Sequence, residues 1–252
     1  MKKVIVLVLC FAFVMTLTSC GRVTTVESKD TDMINVTKIM SHADYMTAAI
    51  GSDVTVETYV QAKQSWWEGK ATFYTQEPEG AYFIYQMPCT KEEYDALTVG
   101  TKIRVSGKKA EWSGEIEITD ATFTIIEGNY VAEPVDLTGL LGTDELISHQ
   151  NELVQFTGMK VEAKTDAAGK KAAYLYNWDG SGKDGDDLYF DASVNGNKFT
   201  FTVESYLCGP DTEVYSAVKE LKVGDVIDMT GFLYWYEGVN PHIITVTETA
   251  AP

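Results

Sequence analysis

The residues that could carry acid–base, nucleophilic or metal chemistry in this 252-residue chain are scattered rather than grouped. Its three histidines, His42, His149 and His242, stand alone, and none belongs to an HxH or HExxH pattern that would bring two imidazoles to one zinc ion. No G-x-S-x-G elbow and no phosphate-cradling glycine loop occurs in the sequence. Carboxylates are so abundant that no pair stands out for general acid–base work. The expectation is a protein that is not an enzyme and uses no cofactor. One acidic stretch carries part of a metal pattern. Asn177, Asp179, Ser181 and Gly182 fall at positions 1, 3, 5 and 6 of an EF-type calcium loop, but position 12 is Leu188, where a bidentate glutamate would stand. Asn177, Asp179 and Ser181 are thus a weak calcium candidate, with a solvated hairpin loop as the alternative, because long loops collect Gly and Asp for turn geometry alone. Otherwise no metal is expected. The denser chemistry is aromatic: Trp66-Trp67, Trp112 and Tyr234-Trp235-Tyr236 form three short clusters.

Charge limits what such aromatics can meet. The chain has 20 basic and 37 acidic residues, a net charge of −17. Long-range repulsion of this sign opposes polyphosphates, whose protein partners normally supply Lys and Arg to the phosphates. Nucleic acid is therefore disfavoured as a partner. Residues 33–130 hold 8 basic and 14 acidic residues and 131–252 hold 8 and 20, so any nucleic-acid site belongs in the first half.

The N-terminus gives an address. Lys2 and Lys3 precede an apolar run from Val4 to Leu17, which is short for a membrane span and has the proportions of a signal-peptide core. Leu17-Thr18-Ser19-Cys20 resembles the lipobox of bacterial lipoproteins. The resemblance implies cleavage after residue 19, lipidation of Cys20, and an extracytoplasmic protein lipid-anchored to the cell membrane. Residues 1–19 then form the signal peptide and 20–33 a polar tether. Without residues 1–19 the chain keeps 18 basic and 37 acidic residues, a charge of −19. Cys89 and Cys208 remain; they are expected as buried free thiols, with one bridge between them as the alternative.

The elements that must position the aromatics come in two copies. Val99-Gly-Thr-Lys-Ile103-Arg-Val105-Ser-Gly107 aligns without gaps on Val223-Gly-Asp-Val-Ile227-Asp-Met229-Thr-Gly231, and at the same offset Trp112 falls on Tyr236 and Gly114 on Gly238. Upstream, Gln61-Ala62-Lys63 pairs with Glu162-Ala163-Lys164, Cys89 with Cys208, and Asn35-Val36-Thr37 with Asp136-Leu137-Thr138. Period-2 alternation and turn residues predict strands over 54–60, 71–76, 81–87, 103–108 and 115–125 in the first copy. In the second they predict 153–161, 172–177, 198–204, 226–235 and 242–247, with an extra hairpin 188–193 returning through Asn195-Gly196. Short helices are expected over 91–97, capped by Thr90, and over 213–221, with leading helices over 43–50 and 143–150.

This order predicts a mainly β chain: two tandem OB-fold-like five-stranded Greek-key barrels, at 34–130 and 134–250, joined near Glu133-Pro134. The glycines ending V-S-G and M-T-G suit bulges at barrel corners. Both copies resemble the OB-fold modules of bacterial lipoproteins of the clostridial type, most closely over 103–116. The resemblance speaks to fold more than to function. It implies that ligands sit between the loops joining strands 1–2 and 4–5. Those loops hold Trp66, Trp67 and Trp112 in the first copy and Tyr234, Trp235 and Tyr236 in the second. These six residues are the candidate ligand site. The expected ligand is a neutral glycan or peptide on aromatic platforms, with a structural spacer or protein-interaction role as the alternative and oligonucleotide binding less favoured.

Overall fold

A computed structural model describes residues 38–249. The signal segment 1–19, Cys20 and the whole tether to residue 33 lie outside the described residues. Among the described ones, no helix is long and apolar enough to cross a membrane.

The first half opens with helix α1 (His42–Thr47), capped by the Ser41 hydroxyl, which accepts from the Asp44 amide. Five strands follow: β1 (Asp53–Lys63), β2 (Lys70–Glu77), β3 (Gly80–Pro88), β4 (Thr101–Trp112) and β5 (Glu115–Asn129), with helix α2 (Lys91–Ala96) between β3 and β4. They close into the expected five-stranded barrel, ordered β1-β2-β3-β5-β4, with β1 pairing antiparallel to β4 and β3 parallel to β5. Alternation explains the burial: Val54, Val56 and Val60 of β1, Phe73 of β2, Ile84 of β3, Ile103 and Val105 of β4 and Ile118 of β5 fill one core. Thr90 caps α2 in a reciprocal capping box with Glu93. Lys109 is buried and donates to the carbonyls of Tyr45, Met46 and Ala48, which satisfies the C-terminal end of α1.

The second half begins with β6 (Val135–Asp136) and continues as β7 (Leu153–Glu162), β8 (Lys164–Thr165), β9 (Lys171–Ala172), β10 (Tyr174–Tyr176), β11 (Leu188–Val194), β12 (Asn197–Val203), helix α3 (Glu213–Glu220), β13 (Val226–Phe232) and β14 (His242–Thr249). The leading helix expected over 143–150 is a 3₁₀ segment, Asp144–His149, rather than an α-helix. The sheet runs β10-β11-β12-β14-β13-β7-β6, and β11 also pairs with β7. The hairpin β11–β12 is thus part of the main circuit, not an addition to it. The segment read as a second strand, 172–177, is instead split: β9 pairs with β8 outside this sheet and β10 lies at its edge. Asn195 and Gly196 both have positive φ (52° and 81°), as their type I′ turn demands.

The repeat has a physical counterpart. The Gly100 amide donates to the Val60 carbonyl at 2.8 Å, and the Gly224 amide donates to the Val161 carbonyl at 2.9 Å. Register shifts occur at the two repeat glycines, between Ser106 and Lys108 and between Thr230 and Gly231. All ladders stay within their own half among the described residues.

Candidate functional site

The two halves meet over a small aromatic core. Tyr74 of β2 stacks on Phe232 of β13 at 4.6 Å between ring centroids, and Phe83 of β3 lies 5.2 Å from Tyr234. Tyr74 and Phe232 are fully buried. The Tyr74 hydroxyl and His242 Nδ1 share a 2.6 Å hydrogen bond, and the His242 ring stacks on Tyr234 at 4.2 Å. Complete burial pushes the His242 imidazole down to about 3, so it is neutral at physiological pH. The hairpin joining β4 and β5 docks onto the loop joining β13 and β14. The Glu237 amide donates to the Ser113 carbonyl, and Gln150 Nε2 donates to the Gly114 carbonyl.

This joint decides the fate of the six candidate aromatics. Tyr234 and Trp235 are half-buried and packed in it; the Trp235 ring lies against Gly114, where an added Cβ would approach it to 2.9 Å. Trp66 is half-buried, packs on the first barrel and donates its indole N–H to the Cys89 carbonyl at 2.9 Å. Trp67, Trp112 and Tyr236 remain exposed. Trp112 does not line the groove that holds Trp67. The expected platform, shared between the two loops of one barrel, is therefore not assembled, because the strand 4–5 loop of the first barrel is used for docking.

The groove beside Trp67 has a volume of about 390 Å³ and is bounded by Gln64, Trp67, Lys70, Thr72, Gln86 and Tyr206, with Ser65 and Ala71 completing its wall. Trp67 is 67% and Tyr206 64% exposed, so neither ring is engaged in packing. Tyr206 arrives from the second half: its carbonyl accepts from the Ser65 amide at 2.7 Å. Beneath it, buried Glu204 accepts from Gln64 Nε2 and from the amides of Tyr206 and Leu207. Burial, reinforced by the nearby Asp187 carboxylate, lifts Glu204 to about 7. The Lys70 ammonium donates to Gln86 Oε1 at 2.7 Å and has no ion-pair partner among the described residues. Gln86 sits at φ 46°, in the left-handed region, where the β2–β3 register slips; its amide donates to the Thr72 hydroxyl. A strained non-glycine residue of this kind persists only where its surroundings over-determine it. Tyr206, Gln86 and Thr72 were not legible as site residues, since none belongs to a motif and Tyr206 is remote in sequence.

The calcium candidate is a tight turn in which the Asp179 carboxylate accepts from the Ser181 amide at 3.0 Å. Among the described residues no group of three or more His, Cys, Asp or Glu side chains could hold a metal ion. Cys89 and Cys208 are buried free thiols, and burial pushes Cys208 up to about 11.

No protein-family model and no curated protein matches the chain. Solved structures do. A murine DNA-binding protein bound with double-stranded DNA is similar at 13% identity, with 79% of this chain and 97% of that one covered and a TM-score of 0.36. A HINa domain in complex with a 20-base-pair double-stranded DNA has 12% identity, 79% and 98% coverage and a TM-score of 0.35. A deletion mutant of the single-stranded DNA-binding protein from Thermus aquaticus has 13% identity, 81% and 98% coverage and a TM-score of 0.25. These values describe the arrangement of strands alone. Those three proteins bind DNA, the partner class disfavoured above; the expectation of a glycan or peptide ligand or a spacer role is withdrawn. Its physical flaw is visible in the groove. Net charge sums the whole surface, whereas this groove is lined by no carboxylate and by one ammonium.

Proposed function

We propose that the chain is a tandem OB-fold module that binds single-stranded nucleic acid by base stacking, without catalysis, in the groove between Trp67 and Tyr206. In support of a second OB barrel, the circuit β7-β11-β12-β14-β13 repeats the order of β1-β2-β3-β5-β4, and β7 closes it by pairing with both β11 and β13. One observation carries the binding reading: two exposed aromatic rings from different halves border one acid-free groove whose charged group is Lys70. Every base has a π-face, so such rings hold unpaired bases with little sequence preference. The amides of Gln64 and Gln86 supply donors and acceptors for base edges, and Lys70 a contact to one phosphate.

Fluorescence anisotropy of a labelled oligothymidylate, titrated with the chain lacking residues 1–20, tests this. Trp67→Ala and Tyr206→Ala are each expected to weaken binding by about 1–3 kcal/mol, the usual worth of one stacked base. Trp112→Ala should leave affinity unchanged. With one cation in the groove the salt dependence should be shallow, a log–log slope of about −0.7 for a single phosphate contact. No binding, or binding indifferent to Trp67→Ala, refutes the proposal.

The address is proposed separately. Lys2, Lys3, the apolar run and Leu17-Thr18-Ser19-Cys20 support export and lipidation at Cys20. Labelled palmitate is expected to enter the full-length chain in a bacterial host and to be lost in Cys20→Ala; a labelled Cys20→Ala product rules the anchor out.

A further inference from the structure

Glu115 opens β5 at the joint between the two halves and is completely buried. Its Oε2 accepts from the Trp235 amide at 2.9 Å and from Gln150 Nε2 at 3.2 Å, two donors of the second half. Its Oε1 is buried with no partner. The neighbouring side chain of Asn151 donates through Nδ2 to the Ile116 carbonyl, and its Oδ1 is likewise buried with no partner. Two orphaned acceptors on adjacent buried side chains carry a cost of desolvation on both sides of the joint. A single proton removes both costs, since a neutral acid supplies the O–H donor that Asn151 Oδ1 lacks.

We infer that Glu115 is held as the neutral acid and donates a hydrogen bond to Asn151 Oδ1, forming a proton-operated latch between the two halves that opens when alkaline pH removes the proton. No cation offsets the carboxylate. Around it stand Glu117 on the same strand, Tyr45 on α1, Tyr74 on β2, and Tyr234 from the second half. Lys109 on β4 directs its ammonium to the α1 carbonyls instead. Burial outweighs the hydrogen bonds that favour the carboxylate and, with Glu117 adding to it, lifts the Glu115 carboxyl to about 8.

The sign follows from proton linkage. The unfolded chain releases this proton near 4.5 and the folded chain near 8. The stabilisation is therefore complete below the lower value and is lost as pH rises through the upper one. Glu204 titrates in the same direction with a folded value of about 7, so the measurement is made in a Glu204→Gln background. The unfolding constant of the full chain, from urea denaturation, is expected to rise by about fivefold from pH 7 to pH 8 and to level off above that. Glu115→Gln keeps the shape and replaces the O–H donor by an amide N–H. It should remove the added slope and be the more stable chain at pH 9. Amide exchange at Trp235 should accelerate above pH 8 beyond its intrinsic rate in the parent but not in Glu115→Gln. If Glu115→Gln does not fold, the infrared spectrum of the Glu204→Gln chain decides. A protonated-carboxyl band at pH 7 that vanishes with a midpoint near 8 supports the latch, and its absence at pH 7 overturns it. A parent whose slope equals that of Glu115→Gln also overturns it. The groove and its ligand play no part in either readout.

Discussion

Tyr74→Ala is expected to cost about 3–5 kcal/mol, the range for deleting a large buried aromatic side chain, and to uncouple the two halves. Tyr74 is the hub of the joint: it stacks on Phe232, meets Phe83 edge-on at 5.1 Å and shares its hydroxyl with His242. The substitution opens a cavity and also strands a buried imidazole nitrogen. Tyr74→Phe keeps the ring and loses only the hydroxyl, so it should cost about 1–3 kcal/mol, the penalty of one unsatisfied buried polar group. Urea denaturation followed by two probes, one in each half, separates the outcomes. The parent should unfold in one coincident transition, and Tyr74→Ala in two. A single transition within about 1 kcal/mol of the parent would show that the aromatic core does not hold the halves together. The joint also has an acid limit. His242 has its folded value lowered to about 3 against 6.5, so its contribution is present above the unfolded value and is lost as pH falls from 6.5 toward 3.

Alanine at either repeat glycine should be almost as damaging. A Cβ on Gly107 would lie 2.6 Å from the Thr119 carbonyl oxygen and 2.7 Å from the Ile118 side chain; on Gly231 it would run into the His242 carbonyl oxygen and lie 2.8 Å from Ile243 Cα. Most of these obstacles are backbone of the adjacent strand, which cannot give way without breaking ladder hydrogen bonds. Overpacking of this kind costs typically 1–3 kcal/mol, occasionally more, and about 3 kcal/mol is expected at each position. Gly139 is the control: a Cβ there meets nothing within 4 Å, and Gly139→Ala should shift the urea midpoint little. Equal losses at Gly107 and Gly231 would establish that the two bulges do the same job. A neutral Gly231→Ala would show that the β13–β14 pairing there yields to a side chain.

Much of this architecture could be read from local pattern, because local pattern is what causes it. Alternating valines place β1, Thr90 with Glu93 starts α2, Asn195-Gly196 closes β11–β12, and the repeated V-G-x-x-I-x-[VM]-[ST]-G marks the strand that carries each bulge. Each of these depends on residues a few positions apart. The segment 172–177 misled for the same reason: its alternation is real, but whether a strand lies in the main circuit or at its edge depends on which partner is already taken, and β7 pairs with β11.

The site belongs to the other kind of information. Trp66 and Trp67 are adjacent and identical in type, yet one packs on the barrel and the other faces solvent. Trp235 and Tyr236 divide in the same way, because the first barrel's β4–β5 hairpin covers one of them. Composition determined a strongly acidic protein, but only the tertiary structure decided that one groove would be free of carboxylates. The same folding brought Tyr206 to Ser65 and removed Glu115 from water. A periodicity reports which face of an element is apolar; it is silent about which remote chain segment that face, or a neighbouring loop, will meet. Protonation states and binding surfaces depend on that meeting, since desolvation and stacking act through space rather than along the chain.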